Sequence, residues 1–207
     1  MVELIIIVLL LYLIFGNTEG FSAHDPVRKA NAFYKTKEAM RKLFSERSMW
    51  IKTFVEDNLQ GQTDRSHIYN RLLKNQNDIG NYIGAHIKNP NTAVELTRLL
   101  KKHVSKITSM INQIQTQNKN YIEEAVENVE QNSQEFAKFL ASHGEEYLPY
   151  DSIKQLFDKQ NKLIYKMATH HFFSEHKKEV DSYDKFYDVM LKLSDTLHAG
   201  LHYINGD

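Results

Sequence analysis

The chain has 207 residues, 42% hydrophobic and 25% charged, and its formal charge balances at zero. That suits one folded domain with a real core, and excludes disorder and the basic footprint of a nucleic-acid binder. With no cysteine, disulfides, thiolate metal sites and a cysteine nucleophile are excluded too.

Residues 1–20 come first. An unbroken apolar run, Leu4 to Phe15, follows a lone Glu3. A spanning helix needs about 20 apolar residues and a secretory apolar region about 7–15, so length alone favours a signal. The charge pattern favours an anchor. No Lys or Arg precedes the run, whereas Arg28, Lys29, Lys35, Lys37, Arg41 and Lys42 follow it. The expectation is a single-pass N-terminal membrane anchor through residues 1–16, with a cleaved signal and a secreted or lumenal product as the alternative. Residues 21–35, with Asp25-Pro26, read as a linker.

Residues 36–204 read as the helical domain. Three Pro and eight Gly leave room for long helices, and no segment alternates with period two. Apolar spacing predicts six helices. The first, Thr36 to Leu59, carries Leu43, Arg47, Trp50 and Phe54 on its stripe. The second, Ser66 to Ile87, carries Ile68, Leu72, Asn75, Ile79 and Ile83. The third opens at Asn91 or Thr92 as cap and runs to Gln117 through His103. The fourth, Lys119 to Ser142, includes Asn132; the fifth, capped by Asp151, includes Gln160. The sixth runs from Glu179 to Tyr203 through Val180, Tyr183, Tyr187 and Met190. Short connections make sequential helices antiparallel neighbours. The fold class is therefore all-α, an up-and-down antiparallel bundle of four to six helices with an N-terminal hydrophobic helix.

Five stripes are interrupted by a polar residue near mid-helix: Arg47, Asn75, His103, Asn132 and Gln160. Antiparallel helices of similar length share a mid-height, so these side chains should meet in one layer. Glu46, Asp78 and Glu135 stand a turn or less away, and Tyr183 or Tyr187 can close the layer. Unpaired burial costs a few kcal/mol per group, so the layer needs partners. Three readings stand: a closed hydrogen-bond network that fixes register, a ligand site of Arg47, Asn75, Asp78, His103, Asn132 and Glu135, or residues turned outward. The sharpest form of the second is a divalent metal on His103, Asp78 and Glu135, one nitrogen and two carboxylates, suited to zinc, iron or manganese. Otherwise no cofactor is implied, and no Glu-x-x-His pair or nucleotide-binding loop occurs. His170, His171 and His176 cluster in "THHFFSEH", and His198 and His202 lie one turn apart on what reads as a solvated face. Gly80 and Gly84 flank the polar stretch and would let a neighbouring helix come close.

At "LLKNQNDIGNYI", "ELTRLLKKHVSKI", "NSQEFAKFL" and "DTLHAGL" the chain resembles an uncharacterised family of small helical-bundle proteins from soil bacteria, archaea and giant viruses. The resemblance covers about residues 38–203. It implies a helical bundle in which Asn75, Asp78, Gly80, His103 and Asn132 occupy the family's polar positions. It also implies histidines near Arg47 and Gln160, so this chain keeps only His103 of three. Enzyme labels carried by some members, glycosyltransferase or kinase, find no supporting residues here. The functional expectation is a membrane-tethered helical bundle of unassigned biochemical role with a buried polar layer. Its alternative is a metal- or ligand-binding bundle, with a metalloenzyme included.

Overall fold

The computed structural model describes residues 26–61 and 66–205. Six helices account for nearly all of them: α1 (Pro26–Leu59), α2 (Ser66–Ile87), α3 (Pro90–Thr116), α4 (Lys119–Ala141), α5 (Tyr150–Phe172) and α6 (His176–Asn205). The expected membrane segment, residues 1–16, lies outside the described residues. Among the described residues no helix is long and apolar enough to cross a membrane.

Two compact units are distinguished, residues 1–36 and residues 37–207. In the first, the described stretch is the start of α1. It is largely solvent-facing, with Val27 and Tyr34 more than half exposed. The Thr36 hydroxyl donates to the carbonyls of Ala32 and Phe33. Residues 26–35 are expected as linker and are helical. Pro26 explains the difference: its missing N–H and fixed φ suit the first helical position as well as they suit a break.

In the second unit each helix buries one stripe. On α2 the buried set is Leu72, Asn75, Gln76, Ile79, Gly80, Ile83 and Gly84, the i, i+3, i+4, i+7 spacing of a single face. On α1 the deepest residues are Met40, Phe44, Arg47, Ser48, Ile51, Phe54 and Val55; Leu43 and Trp50, expected on the stripe, are only partly buried beside it. On α5, Phe157 is buried and its neighbour Leu156 only partly so, and on α6 Val180 is exposed while Phe186, Met190, Leu193 and Leu197 fill the interior. Aromatic and long aliphatic side chains reach the core from either edge of a stripe, so the centre of a face is set by the neighbouring helices.

Consecutive helices pack from α2 through α6; α2 also meets α6, and α3 meets α5. Hydrogen bonds tie α1 to α2, α3 and α6. Pairings run in opposite directions along α1 and α2 (Glu46 with Arg71, Leu43 with Asn75). The same holds along α3 and α4 (Lys102 with Glu135, Lys106 with Asn128). The two glycines set the α2–α3 spacing. A Cβ on Gly84 would lie 2.6 Å from the Ala93 Cα, and one on Gly80 would lie 2.9 Å from the Thr97 nitrogen. Only a missing side chain allows backbones this close.

Helix ends follow local chemistry. Asn89, not Asn91 or Thr92, caps α3: its side chain accepts from the Asn91 N–H, and Pro90 holds it extended. Asn118 caps α4 in the same way. Before α5 the carboxylate of Glu145 accepts from the Tyr150 N–H at 3.0 Å, and Asp151, expected as the cap, sits in the first turn. Lys88, Gln117 and Ser174 follow the C-termini of α2, α3 and α5 in the left-handed region that usually favours glycine.

Candidate functional site: a buried arginine–histidine network, an acidic-rimmed groove and a histidine–glutamate cluster

α3 lies against α1, α2, α4 and α5, so a residue at its middle sits at the centre of the bundle. That residue is His103, 2% exposed. Arg47 approaches it from α1 and donates from Nη2 to His103 Nδ1 at 3.0 Å. Because a guanidinium can only donate, Nδ1 must be the bare nitrogen and Nε2 must carry the proton. Nε2 then donates to Asn161 Oδ1 at 2.8 Å, Asn161 Nδ2 donates to Ser133 Oγ at 2.7 Å, and Ser133 donates to the Val129 carbonyl. On its other side Arg47 donates to Gln76 Oε1. Gln76 Nε2 donates to the Leu72 carbonyl and to Asn75 Oδ1, and Asn75 donates to the Leu43 carbonyl at 3.0 Å. Both branches run outward from the cation and end on helix carbonyls. The tautomer of His103 follows from this polarity.

Arg47 is 1% exposed and pairs with no carboxylate among the described residues. Burial lowers its pKa to about 9, so it remains charged near neutrality. His103 is lowered to about 3, first by burial, then by the positive Arg47; the hydrogen bond to Asn161 opposes both. The ring is a neutral acceptor for the guanidinium, and Phe157 meets it edge-on at 6.1 Å between centroids. Gln160 is wholly buried, and its Oε1 has no hydrogen-bond partner among the described residues.

The sequence-derived residues divide sharply. Arg47, Asn75, His103, Asn132 and Gln160 are all at most 2% exposed. Asn132, however, donates at 3.4 Å to the Leu99 carbonyl and does not join the network, where Ser133 and Asn161 stand instead. Asp78 bonds to Lys74 at 2.9 Å on the surface of α2, and Glu135 bonds to Lys102 across α3 and α4. The set His103, Asp78 and Glu135 is therefore not assembled as metal ligands. A residue three places along a helix is rotated by about 60° from its partner's direction, and here that flank is already claimed by a lysine. Glu46 likewise pairs outward, with Arg71, and Tyr187 reaches Ser45 on α1 rather than the layer. His198, expected on a solvated face, is buried at 4% exposure, its ring stacked with His202 at 6.4 Å. Gln76, Ser133 and Asn161 are the members that periodicity passes over, since each adjoins the residue chosen to represent its turn.

Asn161 also connects the network to the surface. It lines a groove of about 660 Å³ between α3, α4 and α5. Met110, Ile122, Val126, Val129 and Tyr165 supply apolar lining. Glu123, Glu127, Glu130 and Asp158 bring four carboxylates against two ammonium groups, Lys159 and Lys162. One oxygen of Asp158 is buried with no hydrogen-bond partner among the described residues, while the other pairs with Lys154.

A second group of titratable side chains sits where α5 turns into α6. Glu179 is 4% exposed in the first turn of α6. Its Oε1 faces His171 Nδ1 at 2.9 Å, and its Oε2 faces His176 Nδ1 at 3.4 Å. Burial would raise this carboxyl, but the hydrogen bonds to His171 and His176 outweigh it and hold it below the usual carboxylate range. Glu56 of α1 completes the group: one ligand atom each from Glu56, His171 and Glu179 lie within 4.8 Å of one another.

These features define an all-helical bundle protein with a buried cation–imidazole network, a lined groove and a peripheral histidine–glutamate cluster. Searches of protein-family models, curated proteins and solved structures give no match to the chain.

Proposed function

We propose that the protein is a membrane-tethered up-and-down helical bundle that acts as a binding module, and that the groove between α3, α4 and α5 takes a small amphipathic cation. The groove carries this reading. Its volume of about 660 Å³ falls within the roughly 300–1,000 Å³ typical of ligand pockets. Its lining pairs an apolar floor with an excess of carboxylate, the complement of an ammonium group on an apolar body. The Arg47–His103–Asn161–Ser133 chain forms the structural backing: it holds helices in register and presents Asn161 to the groove. The tether is the apolar segment Leu4 to Phe15 with the basic residues that follow it.

The test uses the full chain, an aryl-alkylammonium ion and the carboxylate of the same shape. The ammonium compound should raise the melting temperature and bind one to one, the carboxylate should do neither, and a Glu127→Lys, Glu130→Lys double variant should lose the response. Equal response to both compounds, or none to either, ends the reading. The tether is checked separately by sequencing the N-terminus of the protein recovered from a membrane fraction.

A further inference from the structure

The second cluster is independent of the groove and has a different chemistry. Its residues come from three helices: Glu56 from α1, His171 from the last turn of α5, and Glu179 with His176 from the first turns of α6. Sequence neighbours alone do not bring it together, because Glu56 lies more than a hundred residues from the rest. The side chain of His171 is 12% exposed and that of Glu179 6%, so two members are held by packing, while Glu56 at 28% retains freedom to move.

Two carboxylates that approach this closely repel one another unless a cation lies between or beside them. The cation at hand is Lys52, which pairs with Glu56 one turn away along α1. Its ammonium also lies 5.6 Å from the centre of the Tyr183 ring. Lys52 therefore has a second resting place, and Glu56 can release it without stranding a charge. Among the described residues the hydrogen-bond partners of the Glu179 carboxylate are His171 and His176, and both are themselves metal-ligand types.

We propose that Glu56, His171 and Glu179, with His176 at the edge, form a site for a divalent transition-metal ion of the zinc class. Two carboxylates balance the charge of the ion, and imidazole selects a borderline metal over magnesium or calcium, which prefer all-oxygen shells. His171 Nδ1 and Glu179 Oε1 already face each other in a hydrogen bond of 2.9 Å, which an ion would replace by opening the pair to the roughly 3.4 Å that tetrahedral zinc bond lengths require. The other movement is that of Glu56 inward, and it belongs to the most exposed of the three. The exposed ring of His176 supplies the fourth position, or leaves it to water.

The probe is zinc itself, titrated into the metal-free full chain by calorimetry and followed by thermal melting, with magnesium as comparison. One equivalent of zinc should bind and raise the melting temperature, and magnesium should not. His171→Ala and Glu56→Gln should each weaken zinc binding by more than about tenfold. His202→Ala, which disables the stacked pair His198 and His202, should leave it unchanged. Glu56→Gln alters a half-buried surface group and keeps the fold, so it decides the matter even where the core variant fails to fold. Absence of zinc binding at micromolar concentration, binding untouched by Glu56→Gln, or binding lost in His202→Ala would each overturn the assignment.

Discussion

The mid-bundle network and the α5–α6 cluster both place histidine in a mostly buried setting, and they differ in the sign of the neighbour. At the centre His103 faces a guanidinium. Burial and a positive partner act together there, and the ring is neutral, an acceptor fixed in one tautomer. At the end of the bundle His171 and His176 face the carboxylate of Glu179, whose pKa they hold down. The first arrangement repels a metal ion; the second invites one. A histidine in a helical bundle is thus classified by what the adjacent helix brings to it. A polar stripe by itself is silent on that point.

The largest effect is expected from removing His103. Alanine there strands Arg47 Nη2 in the core and leaves Asn161 Oδ1 only a long bond of 3.4 Å from Gln160 Nε2, and loss of a partner to a buried charge costs about 3–5 kcal/mol. Urea unfolding of His103→Ala should show a loss of that size. A loss under about 1 kcal/mol would mean that the cation is not held by the ring. The same contrast should appear in the pH dependence. The folded pKa of His103, about 3, lies below its ordinary value of 6.5, so between those limits the unfolded chain binds the extra proton. Stability must therefore fall as pH falls from about 6.5 towards 3, by up to about 1.4 kcal/mol per pH unit from this residue. His198, lowered by burial and then by His202, adds a contribution of the same sign. The lowered pKa of Glu179 contributes stability that is present above about 4.5 and lost only below it. Between pH 6.5 and 4.5 the slope should thus flatten in His103→Gln and persist in Glu179→Gln; the reverse result would exchange the roles of the two regions.

A smaller effect is expected where α2 meets α3. Gly84→Ala places a methyl group against the backbone of Ala93 and should cost roughly 1–3 kcal/mol as the two helices part. The parting strains the side of the bundle where Gln76 meets Arg47, and leaves Glu56, His171 and Glu179 alone. Histidine proton resonances should then shift for His103 and stay in place for His171. An unmoved His103 would show that the helix spacing and the network are uncoupled.

Much of this architecture is legible in the order of the residues. Six helices follow from apolar spacing and from Pro and Gly at the breaks, and Arg47, Asn75, His103, Asn132 and Gln160 are all buried at the level that mid-helix position implies. Gly80 and Gly84 mark the close approach of α2 to α3. What is not legible has physical causes. Asp78 and Glu135 look inward by count, yet Lys74 and Lys102 reach them, and ion pairs at a boundary resolve toward water because desolvating a carboxylate is costly. Ser133 and Asn161 each flank a chosen residue, and either of two adjacent positions on a turn can face the seam between helices. The start of α1 is hidden because Pro26 signals a break and a helix start equally well.

The helices, the broad side that each one buries and the burial of the mid-helix polar residues are properties of the chain itself, because they depend on periodicity and on the cost of exposing apolar groups. The pairings belong to the folded bundle: which donor meets which acceptor, that His103 faces Arg47 and not a carboxylate, and that Glu56 meets His171 and Glu179 at the far turn. Those outcomes depend on the rotation and spacing of whole helices, which are set by the summed packing of many side chains and by no single stretch of the chain.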